Sequence, residues 1–225
     1  KLKKVTVISS SMVFESAKRF PTKEGDERNI PPPKSTYGFQ KLSCEYFAQG
    51  AYEQYNLPFT IIRPFNAVGI GESKTIYGKN VLSGNIKLAM SHVVPDLVQK
   101  ILKEQNPLRI FGSGKQIRNY TYAGDIAEAI RISLTEVKAK NTSINISTDY
   151  KISVLALAKK IWVILNPSKK FKYICEKPYK YDVQRRIPSI NKAKKILNFS
   201  ANTSLDVILQ EVIPWVKQMV KEKKI

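Results

Sequence analysis

Three elements near the start of the chain restrict its fold more than any other feature. VTVIS at residues 5–9 is a short β-branched apolar run that leads into Ser9, Ser10 and Ser11, as a buried strand ending in a polar turn does. From about Tyr37 to Tyr55, Leu42, Ala48, Ala51 and Tyr55 recur at helical spacing; Ser35 stands where an N-cap belongs, and Asn56-Leu57-Pro58 ends the run. FTIIRPF then reads as a second buried strand. A strand, a long helix and a strand predict a right-handed crossover between parallel neighbours. Between Ser11 and the helix, residues 15–36 are rich in Lys, Glu, Asp and Pro without periodicity, and Pro31 to Pro33 hold their part extended.

The rest of the chain alternates in the same way. Helix patterns are expected at 93–104, 125–138, 154–165, 189–197 and 204–222, and strands at 108–111, 143–148 and in FKYIC; Asp125 is expected to cap its helix. Residues 69–92 read as a long connection. The fold class is therefore α/β, with a less regular second half that suits a smaller lobe.

Composition narrows the function classes. The formal charge is +20, which favours anionic partners: nucleic acid, a membrane surface or a phosphorylated small molecule. The lysines are scattered, however, and arginine supplies only 8 of the 38 basic residues, so a solvated lysine-rich surface explains the charge better than a dedicated nucleic-acid reader. No apolar run approaches the roughly 20 residues of a membrane span, and the opening KLKKVTVISSSM is a poor signal peptide; a cytoplasmic protein without membrane partners is expected. Cys44 and Cys175 are expected to be free thiols. His92 is the single histidine, and no cluster has metal-ligand spacing, so no metal is expected.

The ten glycines supply no G-x-G-x-x-G turn. IFGSGKQI has Gly112 and Gly114 but Ile117 where the third glycine belongs, Gly69 with Gly71 is followed by Lys74, and GSGK has Arg109 where a phosphate loop requires glycine.

One short motif carries chemistry. Tyr37 and Lys41 in STYGFQK form a Y-x-x-x-K pair; chance alone predicts roughly 1.5 such pairs here, and a second, Tyr173 with Lys177, exists. Surroundings separate them. Tyr37 follows proline and serine, opens a helix, and lies 27 residues after a strand-end serine run. On a helix, positions i and i+4 share a face, and an ammonium nearby favours phenolate, which suits a general acid or base. A serine hydroxyl at the strand tip can orient a reacting oxygen.

With these residues in view, the chain resembles the extended short-chain dehydrogenase/reductase family, specifically its nucleotide-sugar epimerases and dehydratases of the UDP-glucose 4-epimerase type. The resemblance runs in consistent order through ISSSMVFE, PPPKSTYGFQK, LPFTIIRPFNAVGIGE, HVVPDLV, LRIFGSGKQIRNYTYAGDIAEAI, NIST and YDVQRRIPSINKAKKIL. It implies NAD, or NADP, as cofactor and a nucleotide-diphosphate sugar as substrate, with transient hydride and proton transfer at a sugar carbon. It implies catalytic roles for Ser10, Tyr37 and Lys41; cofactor contacts from Ser9, Tyr37, Lys41, Pro64 and Phe65; and substrate contacts from Ser11, Asn66, His92, Val93, Arg118 and Arg186. Arg118 would grip the diphosphate, for which a guanidinium fork is suited. The implied architecture is the C-terminal part of a Rossmann-like parallel sheet in residues 1–68, a substrate lobe over most of 69–225, and about 120–150 returning to the sheet.

Two departures stand out. Glu15 occupies a position where that family usually has glycine. The chain also starts at what would be the fifth strand of the family's sheet, so a fragment, a split gene product or a chain awaiting a complementing partner is expected, with a homodimer as the other partner. A non-catalytic descendant that binds nucleic acid or another chain is the competing reading.

Overall fold

The computed structural model describes residues 2–71, 92–178 and 182–222. In chain order the elements are β1 (Val5–Ile8), α1 (Thr36–Tyr55), β2 (Phe59–Pro64), β3 (Ala67–Val68), α2 (Val93–Leu102), β4 (Leu108–Phe111), β5 (Ile117–Arg118), β6 (Thr121–Tyr122), α3 (Ala123–Thr135), β7 (Thr142–Ile146), β8 (Ile152–Ser153), α4 (Val154–Leu165), β9 (Tyr173–Glu176), β10 (Arg185–Arg186), α5 (Asn191–Leu197) and α6 (Leu205–Lys221). The fold is α/β with parallel strand pairing, as the alternating pattern predicts. Two compact units interleave along the sequence: the first holds residues 1–67, 117–151 and 180–203, the second 68–116, 152–179 and 204–225.

The first unit is built on the parallel sheet β1-β2-β7. β2 is its middle strand, with Val5 to Ile8 registered on Phe59 to Ile62 and Thr60 to Pro64 on Thr142 to Ile146. Because side chains alternate across a strand, β2 feeds two cores. Ile62 joins Ile144 and Ile146 against Ile126 and Ala129 of α3 and Ala193 and Leu197 of α5. Phe59 and Ile61 meet Ala48 of α1 and Val7 on the opposite face. Each fully buried isoleucine stabilises the fold by about 1.5–3 kcal/mol, so the two layers are what keep the strand ends in place.

The non-periodic stretch before α1 is irregular but pinned. Thr22 donates its N–H to the Ile187 carbonyl at 2.9 Å and accepts from Ser189 N–H at 2.7 Å. Glu24 accepts from the Asn145 N–H at 2.8 Å. Two boundaries differ from expectation. α3 begins at Ala123 without a side-chain cap and ends at Thr135, where Glu136 turns extended; Asp125 lies inside its first turn and accepts from the Thr203 N–H and hydroxyl at 3.0 and 2.8 Å. β7 stops at Ile146 because the hydroxyls of Ser147 and Thr121 take over bonding there, the first donating to the Thr148 carbonyl and the second accepting from its N–H.

The second unit packs α2 against α4 and α6. Val94, Leu97, Val98 and Ile101 of α2 and Ile208, Leu209 and Val212 of α6 are buried there. Beside them β4 and β9 pair in parallel, Leu108 on Tyr173 through Phe111 on Glu176. Tyr173 of the second Y-x-x-x-K pair thus stands on a strand. The Gly112-Ser113-Gly114 turn after β4 needs φ of +71° at both glycines, and a Cβ at Gly114 would come within 3.1 Å of Leu155 Cβ. Close packing and turn geometry account for these glycines.

Candidate functional site

The strand-end serines lead directly into a 3-10 turn, Ser11–Phe14, that packs on the first turn of α1. Ser10 caps that turn, its oxygen accepting from the Met12 N–H at 3.2 Å; its own hydroxyl proton finds no acceptor among the described residues. Ser35 caps α1, accepting from the Gly38 N–H at 3.1 Å. Tyr37 emerges beside it with its ring 49% exposed, open rather than packed inward. The Lys41 ammonium lies 5.8 Å from the centre of that ring and donates to the Ile8 carbonyl at the end of β1 at 2.9 Å. An ammonium has three donors, so Lys41 keeps capacity for a further acceptor.

Gly38 is what lets the helix approach so closely. A Cβ there would meet Pro33 Cβ at 2.7 Å and the Met12 carbonyl at 2.9 Å. Only glycine permits the first turn of α1 to rest on the turn that carries the serines.

Two arginines meet on the same unit. β10 pairs with β5 in parallel, which makes Arg186 the register partner of Arg118. Neighbouring strands run about 4.8 Å apart, so the two cations arise side by side. Burial pulls the Arg186 guanidinium down to about 10, and Arg118 adds to the effect; Tyr120, Glu15 and Tyr37 oppose it and so lie within electrostatic reach. Arg118 is also lowered by burial. Its Nη1 donates to the Ile117 carbonyl at 2.9 Å, and its Nη2 stands 3.8 Å from Asp182. Arg186 donates to Asn66 Oδ1 at 3.1 Å and to Met12 Sδ at 2.8 Å, while its Nε is buried without a hydrogen-bond partner among the described residues. Tyr120, on which both arginines act, has a buried hydroxyl with no hydrogen-bond partner among the described residues, and burial pushes that phenol up to about 12 against their pull. Two enclosed cations and an unmatched O–H donor constitute an anion-accepting arrangement.

The comparisons identify the family behind this geometry. The family model described as "NAD dependent epimerase/dehydratase family" matches residues 1–147. The chain belongs to that family. It is 29% identical over 224 residues to a UDP-N-acetyl-alpha-D-glucosaminuronate decarboxylase of Bacillus cytotoxicus, covering 96% of this chain and 64% of that one. The solved UDP-glucose 4-epimerase of Thermotoga maritima with UDP-glucose superposes with a TM-score of 0.78 at 27% identity, covering 97% and 64%. UDP-glucuronic acid 4-epimerase of Bacillus cereus in complex with NAD does so with a TM-score of 0.78 at 26% identity, covering 97% and 63%. The chain thus spans just under two thirds of the length of these relatives.

Within this epimerase/dehydratase chain the structure distributes the remaining candidates as follows. Ser9 turns its hydroxyl away from the turn and donates to Glu45 of α1. Ser11 is buried. Pro64 ends β2. Phe65 is fully buried in a cluster with Val13 and Phe14, its ring stacked on Phe14 at 6.2 Å. Asn66 has a left-handed backbone with φ of +42°, and its amide is committed at both ends, to the Asn119 carbonyl at 3.0 Å and to Arg186. His92 and Val93 belong to the second unit, where His92 is the N-cap residue of α2 and its carbonyl accepts from the Asp96 N–H at 3.1 Å. Of the long connection at 69–92, residues 72–91 lie outside the described residues.

A buried ion network supports the site from beneath. Arg63, 0% exposed, binds Glu45 in a fork, Nε to Oε1 at 2.8 Å and Nη2 to Oε2 at 2.7 Å. It also binds Glu27, Nη1 to Oε2 at 3.0 Å. Burial would lower Arg63, but the two carboxylates outweigh it and the net direction is up. Burial would raise Glu27, but Arg63 outweighs it and the net direction is down. Glu24, without such a fork, is raised by burial. Reading the sequence missed this network because Arg63 sits inside an apolar strand and its partners lie 18 and 36 residues away. Tyr120 was missed too, although its spacing of two from Arg118 in RNYTY places both on one side of an extended segment.

Proposed function

We propose that this chain provides the substrate-binding and proton-transfer part of an NAD-dependent nucleotide-sugar epimerase or dehydratase. The observation that carries the reading is the register pairing of Arg118 with Arg186 within electrostatic reach of Tyr120, whose hydroxyl is unmatched among the described residues, on the unit that also carries Tyr37 and Lys41. That trio would hold the diphosphate, with guanidinium forks and a phenol O–H as donors. Tyr37 would exchange a proton with a sugar hydroxyl, and the free hydroxyl proton of Ser10 would orient the same oxygen.

The nicotinamide end of the cofactor fits the residues present: a half-exposed phenol and an ammonium with donors to spare stand together at the end of β1. When bound, NAD supplies the hydride acceptor, and Lys41 would hold its ribose. Ser9, Pro64 and Phe65 would serve only through backbone or support, since the Ser9 hydroxyl and the Phe65 ring are engaged inside the protein. The proposed setting is a cytoplasmic protein acting with a complementing chain or as a homodimer.

The test joins this chain to the cofactor-binding first third of the Thermotoga maritima relative and follows turnover of UDP-sugars, with the Tyr37→Phe variant alongside. Turnover that disappears in the variant supports the reading, and equal turnover in both ends it.

A further inference from the structure

Glu15 breaks the pattern on which the resemblance rests, yet nothing about it is strained. It closes the 3-10 turn Ser11–Phe14 with φ −52° and ψ −38°, an ordinary right-handed conformation. Its Oε2 accepts twice from Ser35, from the N–H at 3.0 Å and the hydroxyl at 2.7 Å. Ser35 in turn accepts from the Gly38 N–H, so a relay of carboxylate, hydroxyl and helix amide brackets Tyr37 on both sides. A negative charge behind the N-terminus of the 20-residue α1 also complements its dipole. The other oxygen, Oε1, is buried without a hydrogen-bond partner among the described residues, and the Glu15 charge acts on Arg186. An unmatched buried carboxylate oxygen is unfavourable in itself, so packing alone does not account for an acid here.

We propose that Glu15 is a positioning residue for Tyr37: it fastens the turn carrying Ser10 and Ser11 to the cap of the helix that carries the phenol. What Tyr37 does rests on the function proposed above; where it points does not. Together with Gly38, whose lack of a side chain leaves the two elements room to approach, Glu15 sets the direction from which the ring leaves the helix.

The experiment uses the full chain labelled with ¹³Cζ-tyrosine, the Tyr37 resonance being assigned by its loss in Tyr37→Phe. Glu15→Ala removes the acceptor of both Ser35 hydrogens, and the Tyr37 resonance is expected to shift and broaden while that of Tyr173, on the other unit, stays in place. Glu15→Gln keeps an amide oxygen for the same two hydrogens and is expected to restore the wild-type position. Ser35→Ala, which cuts the relay from the other side, serves where Glu15→Ala fails to fold and should move Tyr37 likewise. A Tyr37 resonance unmoved by both alanine variants, or moved as far by Gln as by Ala, overturns the proposal. Calorimetry with UDP on the wild type runs in parallel: absent binding strikes the functional reading and leaves the ligand-free Tyr37 comparison intact.

Discussion

Arg118 and Arg186 are register partners on neighbouring parallel strands, two cations brought together by backbone pairing rather than by attraction. Like charges in an enclosed place repel; Asp182 beside Arg118 and Glu15 within reach of Arg186 offset this in part, and a bound anion would offset it further. Arg186→Ala is expected to weaken UDP binding by at least about tenfold, the loss of roughly one charge-assisted bidentate contact. Calorimetry reads it directly, and an unchanged affinity would remove the diphosphate assignment.

Gly38→Ala tests the close approach. Helix propensity alone would reward the change by somewhat under about 1 kcal/mol. The new methyl, however, meets Pro33 Cβ at 2.7 Å and the Met12 carbonyl at 2.9 Å, neither of which is the end of a flexible side chain. Overpacking of this kind costs about 1–3 kcal/mol, so a net loss is expected in urea unfolding.

Glu45→Ala leaves the fully buried Arg63 with half its partners and Ser9 without its acceptor. Removal of one member of a buried pair costs about 3–5 kcal/mol. The triple variant Glu45→Leu, Arg63→Met and Glu27→Gln should recover much of this, because it deletes the stranded Arg63 charge together with its other buried partner.

Glu27 and Glu24 are expected to bend the pH profile of stability in opposite directions. Arg63 holds Glu27 below its ordinary value of 4.5, so its stabilising contribution is present above that pH and is lost as pH falls through the depressed value. Burial holds Glu24 above 4.5, so its carboxyl favours the fold below that value and loses this advantage as pH rises through the raised one. Glu27→Gln should flatten the acid limb. Glu24→Gln, which still offers an oxygen to the Asn145 N–H, should leave neutral-pH stability equal or higher. Thermal unfolding between pH 3 and pH 7 distinguishes the two.

The sequence disclosed local order well. The β-branched run, the Ser35 cap and the Asn56-Leu57-Pro58 stop gave the opening strand, helix and strand because each obeys a short-range rule. Tyr37 and Lys41 were legible for the same reason, sharing a helix face. What stayed hidden is non-local. Nothing in YDVQRR says that Arg186 will register on Arg118, nor in PTKEGDE that Glu27 will fold over a strand to meet Arg63. Asp125 misled in the same way: it resembles a cap by type and place, but its carboxylate reaches Thr203 instead. The serine run shows both outcomes at once, with Ser10 giving its hydroxyl proton to no acceptor among the described residues and Ser9 giving its own to Glu45.

The stitching of Thr22 to Ile187 and Ser189 bears on how the protein matures. These partners are separated by 165 positions or more. At translation speeds of about 5–20 residues per second, a nascent Thr22 waits roughly ten to thirty seconds for its mate to leave the ribosome. Throughout that interval the loop lies unlatched, and Glu27 is offered to Arg63 without the late segment that latches its loop. Nascent-chain handling, as much as final stability, should therefore govern the yield of this protein in a cell.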